Sequence, residues 1–333
     1  MTLPTASLLD RMPTMSGDEL AASLVPPRQF DDSTLENYRP DPDYPSQAEA
    51  VERVRAFAGA WKPGGGLFRK RTPETKPGLY LDGGFGVGKT HLLAALWKLA
   101  PGRKYFGTFI EYTALVGALG YASAVKLLSG ATLVAIDEFE LDDPGDTMLM
   151  TRLLGVLAES GTRIAATSNT PPNALGEGRF AAVDFLREIH ALSARFEILR
   201  IDGLDYRRRD LEGHAATLDE AELETAAGSI PGTVTIDDFD AVLRHLATVH
   251  PSRYVKLLDG LSAVGLRGVH VLNDQTDALR FVAAVDRLYD GQVRVLASGV
   301  PLDQVFGDDM LAGGYRKKYL RAISRLIALT APQ

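Results

Sequence analysis

The fold is decided by the stretch Gly83-Gly84-Phe85-Gly86-Val87-Gly88-Lys89-Thr90. It matches the phosphate-loop pattern G-x-x-x-x-G-K-[ST] and stands between a short apolar run, Leu79 to Leu81, and a helix-forming run, His91 to Leu99. Glycines let successive backbone N–H groups turn towards phosphate oxygens, and the following helix directs its positive N-terminal end at the same anion. The pattern predicts a nucleoside triphosphate site; the alternative is a strand-to-helix loop without a ligand.

Two residues at the end of the loop have predicted roles of their own. Lys89 is expected to bridge the terminal phosphates, and the Thr90 hydroxyl is expected to bind Mg²⁺. No Asn-Lys-x-Asp motif for reading guanine is present, so ATP is the expected nucleotide. Asn37 and Tyr38 are candidates for an adenine pocket, with a packed tyrosine as the alternative. The predicted nucleotide-binding set in this part of the chain is Gly83, Gly84, Phe85, Gly86, Val87, Gly88, Lys89, Thr90 and His91.

Composition restricts the kind of protein. The chain has 333 residues, 45% of them hydrophobic, which allows one large or two packed domains. Its 36 basic and 43 acidic side chains give a net charge of -7, so bulk charge attracts neither nucleic acid nor anionic lipid. The absence of cysteine excludes disulfides and thiolate metal sites. With no secretory signal and no run of about 18 apolar residues, we expect a cytoplasmic protein without a membrane span.

The chain divides into three predicted parts. Residues 1–45 are rich in proline and aspartate and are expected to form an extended arm. Residues 46–209 alternate apolar runs with segments of helix length, which predicts an α/β nucleotide-binding core with a parallel sheet between helices. Residues 210–333 are expected to form an α-rich, lid-like domain that also contains one strand-helix-strand unit. Its predicted helices include Ile236 to Thr248 and Ser252 to Ala263. The five predicted core strands are Leu79 to Leu81, Tyr105 to Ile110, Thr132 to Ile136, Ile164 to Thr167 and Phe196 to Ile201.

Two carboxylates follow the third of these strands. Leu133 to Ile136 is a continuous apolar run, as in a strand buried on both faces, and it leads directly into Asp137 and Glu138. The carboxyl end of such a strand opens into the ligand crevice of an α/β sheet. Asp137 is therefore expected to hold Mg²⁺, and Glu138 to orient the attacking water. Asp142, Asp143 and Asp146 are expected to be cap and surface residues of the next helix rather than further metal ligands.

Two later residues extend the predicted site. Asn169 follows the fourth strand and could share the attacking water with Glu138, although an asparagine before a proline turn is also common. The order of phosphate loop, Asp-Glu strand, strand-Asn and the run Leu192 to Phe196 is typical of an AAA+ ATPase. Arg195 in that run is the preferred arginine finger, which neutralises charge on the γ-phosphate of a neighbouring subunit and makes hydrolysis depend on an ATP-dependent oligomer. Arg187 and Arg179 are the alternatives.

Longer stretches of the chain resemble the ZapE group of AAA+ ATPases. The resemblance covers roughly residues 26 to 329. It implies a Mg²⁺-dependent ATP hydrolase of bacterial cell division that acts on the Z-ring protein FtsZ, with mitochondrial relatives in protein quality control. The stretches that carry it are Gly78 to Leu81, Asp137 to Phe139, Ala166 to Pro172, Asp205 to Arg207, Arg280 to Tyr289, Val295 to Pro301 and Arg321 to Leu326.

The chain departs from this group in two places. The segment Phe106 to Lys126 has no histidine, whereas relatives carry a longer, histidine-rich one. The Arg-Phe pair that relatives place after the strand-Asn is here Asp184-Phe185, which moves the finger assignment towards Arg195 or Arg187. In the C-terminal domain, Arg321 or Arg325 is expected to reach the γ-phosphate as sensor 2, with Arg321 preferred; a helix-surface arginine is the alternative.

Two other functions are alternatives to an ATPase of cell division. A helicase-loader-like, DNA-binding ATPase has a similar core and would use the basic runs Arg207-Arg208-Arg209 and Arg316-Lys317-Lys318, which would make binding fall steeply with salt. A small-molecule kinase fits less well, because Asp137-Glu138 followed by Asn169 suits activation of water. The resemblance therefore implies a protein partner, FtsZ or another, rather than nucleic acid.

Overall fold

The computed structural model describes residues 6–59, 61, 76–140, 144–172, 175, 193–204 and 214–331. The chain forms two compact units. The core unit comprises Ser16–Pro26 and Phe30–Tyr206, and the second unit comprises Met1–Met15, Pro27–Gln29 and Arg207–Gln333. The predicted domain boundary after residue 209 falls in 205–213, outside the described residues.

A five-stranded parallel sheet forms the centre of the core unit, as predicted. Its strands are β1 (Gly78–Gly83), β2 (Lys104–Thr108), β3 (Leu133–Asp137), β4 (Arg163–Ser168) and β5 (Phe196–Ile201). Across the sheet they lie in the order β2-β3-β4-β1-β5. Strands β3, β4 and β1 are therefore direct neighbours, and because all pairs are parallel, their carboxyl ends share one edge of the sheet.

Helices cover the sheet of the core unit. They are α1 (Gly17–Ala22), α2 (Pro45–Gly59), α3 (Lys89–Leu99), α4 (Phe109–Leu119), α5 (Tyr121–Leu128) and α6 (Pro144–Glu159). Leu79 and Leu81 on β1 share a buried cluster with apolar residues of α2 and α3. Tyr80, between them, instead makes edge-to-face ring contacts with Phe139 and Phe196. Because neighbouring residues of a strand face opposite sides, both faces of β1 are buried, which explains its continuous apolar run.

The described part of the predicted arm is not simply extended, which corrects that expectation. Ser16 and Glu19 form a capping box at the start of α1. Leu20 and Leu24 are buried, and the carbonyl of Leu24 accepts a hydrogen bond from Phe106 N on β2 at 2.9 Å. The two buried leucines, four residues apart, anchor this short helix on the core unit. The backbone that follows the helix covers the edge of β2.

The second unit is rich in helix, as predicted, and also has a parallel sheet of three strands. The strands are β6 (Thr233–Asp238), β7 (Leu261–Val269) and β8 (Arg294–Gly299), in the order β6-β7-β8. The helices are α7 (Glu220–Ser229), α8 (Phe239–Thr248), α9 (Tyr254–Leu257), α10 (Gln275–Asp290), α11 (Asp308–Ala312) and α12 (Arg316–Thr330). The predicted strand-helix-strand unit is β7-α10-β8.

Two predicted helices of the second unit are wrong in extent. A helix was expected over Ile236 to Thr248, but β6 runs to Asp238 and the helix begins at Phe239. The Asp238 side chain caps it by accepting a hydrogen bond from Ala241 N at 2.9 Å, which fixes the change from strand to helix. A second helix was expected over Ser252 to Ala263, but the helix ends at Leu257. Gly260 has a φ of 70°, which is incompatible with a continuing α-helix, and β7 begins directly after it.

The N-terminal segment is part of the second unit. Leu8 is 2% exposed within the apolar core of that unit. The carboxylate of Asp237 on β6 accepts hydrogen bonds from Leu8 N at 2.8 Å and from the Ser7 hydroxyl. Ala6 pairs with Thr235 in parallel orientation. The segment thus covers the outer edge of β6 and contributes one core side chain.

Candidate nucleotide site at the carboxyl edge of the sheet

The phosphate loop connects β1 to α3 with its backbone close to neighbouring groups. Gly86 and Gly88 have φ values of 68° and 84°, in the left-handed region that favours glycine. A Cβ atom on Gly88 would lie 2.4 Å from the Tyr38 ring, so a side chain there would also collide. Helix α3 starts at Lys89 without a side-chain cap, which leaves its first backbone amides available to an anion.

Lys89 connects this loop to the end of β4. Its ammonium donates hydrogen bonds to the carbonyl of Gly83 at 2.8 Å, to the carbonyl of Gly84, and to the Asn169 side-chain oxygen at 2.9 Å. Lys89 is 8% exposed. Two predicted site residues that are 80 positions apart in the chain are therefore in direct contact. Because all three acceptors are oxygens, phosphate oxygens could replace them as partners of the ammonium.

Asp137 meets two hydroxyl groups at the end of β3. The Thr90 hydroxyl lies 3.2 Å from Asp137 Oδ1, and the Thr167 hydroxyl donates to the same oxygen. Burial and then the neighbouring Glu138 carboxylate raise the pKa of Asp137, while the hydrogen bonds from Thr167 and Thr90 and the charge of Lys89 lower it in part. A carboxylate in this position gains stability from additional positive charge nearby.

Glu138 has an uncommon backbone conformation. Its φ is 54°, in the left-handed region that a side chain other than glycine rarely adopts. Two hydrogen bonds from β4 hold the turn: Glu138 N donates to the Thr167 hydroxyl at 3.1 Å, and Phe139 N donates to the Thr167 carbonyl at 2.7 Å. Backbone strain of about 1–3 kcal/mol persists where surrounding contacts fix it, as is common at functional sites.

A third carboxylate organises the turn that contains Asn169. Glu140 accepts hydrogen bonds from the Ser168 hydroxyl at 3.0 Å, from Asn169 N at 3.2 Å and from the Thr170 hydroxyl at 3.1 Å. Tyr80 also holds this turn, because its hydroxyl donates a hydrogen bond to the Thr170 carbonyl at 2.8 Å. Burial raises the pKa of Tyr80, so this donor stays protonated at any ordinary pH.

The residues expected to line an adenine pocket make other contacts. The Tyr38 hydroxyl donates to the carbonyl of Val87 at 2.6 Å, and burial raises the pKa of Tyr38 to about 12. Its ring makes an edge contact with His91, whose Nε2–H donates to the Thr34 carbonyl at 2.8 Å. Asn37 closes its own turn by accepting from Thr34 N at 2.8 Å. Tyr38 therefore supports the phosphate loop from outside, in agreement with the packed-tyrosine alternative.

Arg195 is not close to the residues just described. Its carbonyl accepts a hydrogen bond from Gly78 N at 3.1 Å, which places it beside the start of β1. The phosphate loop begins at the other end of that strand, about 17 Å away, because six residues span five steps of ~3.3 Å. The guanidinium forms an ion pair with Glu159 at 3.2 Å. The alternatives Arg179 and Arg187, like Asp142 and Asp143, lie outside the described residues; Asp146 is in the first turn of α6, as expected.

Arg321 and Arg325 lie on α12 of the second unit and share one buried carboxylate. Arg321 Nη2 is 2.6 Å from Asp286 Oδ2, and Arg325 Nη1 contacts Asp286 Oδ1. Burial alone would raise the pKa of Asp286, but the charges of Arg321, Arg325 and Arg287 and the hydrogen bond from Arg325 outweigh it and hold that pKa below its ordinary value. Neither arginine is the helix-surface residue that was the alternative to sensor 2, because both are less than 10% exposed.

The donor set fits Mg²⁺. Among the described residues, no three His, Cys, Asp or Glu side chains gather as a metal site of their own. The hydroxyl of Thr90 and the carboxylate of Asp137 are hard oxygen ligands, and Mg²⁺ is commonly held by one or two such protein groups together with substrate phosphates and water. The chemistry of these two residues is therefore the chemistry that a nucleotide-bound Mg²⁺ requires.

Sequence reasoning missed three residues of this site: Thr167, Glu140 and Tyr80. Each is of a residue type that is common in any strand or turn. A signal for the first was available, because Thr167-Ser168-Asn169-Thr170 places several short polar side chains at the end of a buried strand. Only the pairing of β4 between β3 and β1 shows which carboxylates these hydroxyl groups meet.

A phosphate loop, an Asp-Glu pair and an asparagine at one edge of a five-stranded parallel sheet define a P-loop ATPase of the AAA+ class. The chain belongs to the AFG1-like ATPase family, whose model matches residues 14–229 and 222–333. It is therefore an ATP hydrolase, and the likeness to the ZapE group noted in the sequence is confirmed.

Two relatives illustrate the range of the family. The chain is 28% identical over 301 residues to the cell division protein ZapE of Escherichia coli K12, covering 77% of this chain and 78% of ZapE. It is 22% identical over 297 residues to lactation elevated protein 1 homolog B of Danio rerio, covering 72% of this chain and 59% of that protein.

Two solved structures align with about half of the chain. AMPPCP-bound DnaA from Aquifex aeolicus aligns with a TM-score of 0.40 and 19% identity, over 54% of this chain and 52% of that chain. DnaI aligns with a TM-score of 0.41 and 20% identity, over 53% of this chain and 94% of that chain. These values are low, so the assignment rests on the family model. In the part of the chain that the structure describes, each helix is too short or too polar to cross a membrane.

Proposed function

We propose that this ATPase is Mg²⁺-dependent, that it works in the cytoplasm as an ATP-dependent oligomer, and that it acts in bacterial cell division by remodelling a protein polymer, FtsZ. The observation that supports the chemical part is the meeting of Lys89 with Asn169 and of Thr90 with Asp137 at one sheet edge. The division role is supported by the similarity to ZapE, whose name describes a cell division protein.

The roles of the residues follow from their positions. Lys89 and the amides at the start of α3 would bind the β- and γ-phosphates of ATP. Glu138 would accept a hydrogen bond from the attacking water, and Asn169 would fix that water or the γ-phosphate from β4. Thr90 and Asp137 would hold Mg²⁺, which when bound neutralises charge on the phosphate oxygens. Proximity and electrostatics thus account for the reaction without a covalent intermediate.

The central test compares two variants of the site. Glu138→Gln should bind Mg-ATP with the affinity of the unmodified protein and lose hydrolysis by about 100-fold or more, since a positioned base contributes about 10²–10⁴. Lys89→Ala should lose binding itself, as measured by calorimetry. Omission of Mg²⁺ should stop hydrolysis by the unmodified protein. Normal turnover by Glu138→Gln would exclude Glu138 as the residue that orients water.

The distance of Arg195 from its own phosphate loop supports a role in a neighbouring subunit. An arginine that acts in trans must lie away from the nucleotide of its own chain. Arg195→Ala should lose turnover and regain part of it when mixed with Lys89→Ala, which contributes an intact arginine. The matched control is Arg163→Ala, at the arginine that begins β4 and binds the Phe57 carbonyl at 2.9 Å; mixing it with Lys89→Ala should give no recovery of turnover. If the mixture shows no recovery while both variants still oligomerise with ATP, Arg195 is not the finger.

The partner requires a separate measurement. Sedimentation of FtsZ polymers, with and without this protein and ATP, should change with the unmodified ATPase and not with Glu138→Gln. An unchanged pellet would exclude FtsZ. The helicase-loader alternative has no specific support in the structure: Arg207-Arg208-Arg209 lies outside the described residues, and so does the side chain of Lys317. DNA retention that falls with salt would revive it.

A further inference from the structure

We propose that Glu140 is a positioning residue for ATP hydrolysis, because its carboxylate fixes the turn that presents Asn169 to Lys89. This inference rests on the proposed role of Asn169. Glu140 binds Asn169, and Asn169 binds Lys89, so through these contacts its action would be indirect.

The turn after β4 is held by the Glu140 carboxylate. Three consecutive residues, Ser168, Asn169 and Thr170, donate to the two oxygens of one carboxylate, over distances of 3.0 to 3.2 Å. One donor is the backbone amide of Asn169 itself. Hydrogen bonds to an ionised acceptor are about twice as strong as those between neutral groups. The carboxylate therefore restrains the backbone of Asn169 directly and both flanking side chains.

Asn169 connects this turn to Lys89 and the phosphate loop. The side-chain oxygen of Asn169 lies 2.9 Å from the ammonium of Lys89, which also binds the carbonyls of the phosphate loop. A displacement of the Asn169 backbone would move that oxygen away from the position where ATP binds. Small displacements matter here, because misplacing a group by about 1 Å can reduce turnover by about 10²-fold.

Glu140 lies close in sequence to two other carboxylates. Glu140 follows Asp137 and Glu138 by three and two residues, so three negative charges lie on one short stretch. Such a concentration of like charge is unfavourable unless donors compensate it. For Glu140 the compensation comes from the turn after β4, whereas for Asp137 it comes from Thr90, Thr167 and Lys89. Asp137 therefore binds groups of the nucleotide site, whereas Glu140 binds the turn after β4.

The test is a double-mutant cycle between Glu140 and Asn169. Glu140→Ala should lower kcat for ATP hydrolysis by about tenfold or more, which corresponds to ~1.4 kcal/mol. The dissociation constant for Mg-ATP, measured by calorimetry, should stay within about threefold, because the loop that binds phosphate is unchanged. Asn169→Ala should have a similar effect on kcat, and the double variant should be no slower than Asn169→Ala alone.

A matched control separates positioning from a general loss of stability. Glu111 also binds a backbone amide and a hydroxyl, those of Thr108, at 2.6 and 2.9 Å, but at the start of α4. Glu111→Ala should lower the melting temperature about as much as Glu140→Ala and leave kcat unchanged. Ser168→Ala, which removes one donor of the three, should show a smaller loss of kcat than Glu140→Ala.

The outcomes are distinguishable. Unchanged kcat in Glu140→Ala together with a loss in Asn169→Ala would overturn the role of Glu140 and leave the proposed site intact. Unchanged kcat in Asn169→Ala would reject the proposed role of Asn169, and the inference with it. Additive losses in the double variant would show that Glu140 acts independently of Asn169, which also overturns the inference. An equal loss of kcat in Glu111→Ala would show that the loss in Glu140→Ala comes from reduced stability, which also overturns the inference.

Discussion

Replacing Thr167 by valine removes one hydroxyl group that contacts both the Asp137 carboxylate and the backbone of Glu138. This hydroxyl donates to Asp137 Oδ1 and accepts from Glu138 N at 3.1 Å, and the residue is 2% exposed. Valine has nearly the same shape, so the change removes two hydrogen bonds without leaving a large cavity. The Asp137 carboxylate then loses a donor, and the left-handed turn at Glu138 loses one of the two bonds that hold it.

The magnitude follows from these two losses. A hydrogen bond to a charged group contributes about 1.5–3 kcal/mol, and an unsatisfied buried N–H group costs about 1–3 kcal/mol. Because the turn can relax in part, we expect a loss of about 3 kcal/mol in the free energy of unfolding. A domain of this size loses about 2–4 °C in Tm per kcal/mol, so Tm should fall by about 6–12 °C. Turnover should fall by about 10- to 100-fold, since Asp137 and Glu138 are no longer fixed.

Thr167→Ser is the matched control, because serine keeps the hydroxyl and loses only a methyl group. It should cost about 1 kcal/mol of stability and keep turnover within about threefold. The assays are differential scanning calorimetry and steady-state ATP hydrolysis at saturating Mg-ATP. Normal turnover and Tm in Thr167→Val would refute this reasoning. Equal damage by serine and valine would also refute it, because the methyl group would then be the important part.

Three further changes test other parts of the structure. Asp286→Asn should lower the free energy of unfolding by about 3 kcal/mol at neutral pH. Because the folded-state pKa of Asp286 is lowered, this contribution is present above its unfolded pKa of about 3.9 and is lost as pH falls through the folded value. Denaturation curves of the two proteins should therefore converge in acid. Leu8→Ala should lower the free energy of unfolding by about 2–4 kcal/mol, whereas the exposed Asp10→Ala should change it by less than about 0.5 kcal/mol in urea titrations. Tyr38→Phe removes the bond to the Val87 carbonyl and should weaken Mg-ATP binding about fivefold in calorimetry, a loss of ~1 kcal/mol; unchanged affinity would show that the loop does not need this support.

The core of the ATPase was accessible from sequence because its signals are local. The phosphate loop needs glycine at positions with positive φ, so its pattern is written in residue types. Strands β1, β3 and β4 are buried on both faces and therefore read as continuous apolar runs. Since parallel strands end at one edge, a residue just after each run must lie in the same crevice. That rule alone brings Lys89, Asp137 and Asn169 together, as the structure shows for Lys89 and Asn169.

The second unit was less accessible for the opposite reason. Strand β6 continues directly into α8, and the apolar residues of the two elements together resemble one helical pattern. The change of conformation depends on one capping side chain, Asp238, whose effect cannot be separated from that of any other aspartate in a sequence. The assignment of Ser7 and Leu8 to this unit could not be foreseen either, because Asp237, their partner, is more than 200 residues away in the chain.

What the sequence by itself determined is the chemistry available to this ATPase: a loop of amides with Lys89 and Thr90, an acidic pair after one strand and an amide side chain after another. These depend on residue type and short spacing. What only the tertiary structure decided is which further groups hold these residues in place, namely Thr167 beside Asp137 and Glu138, and Glu140 on the turn from Ser168 to Thr170. The physical reason is that a hydrogen bond acts only over about 3 Å, and that distance is set by strand order and register rather than by position in the chain.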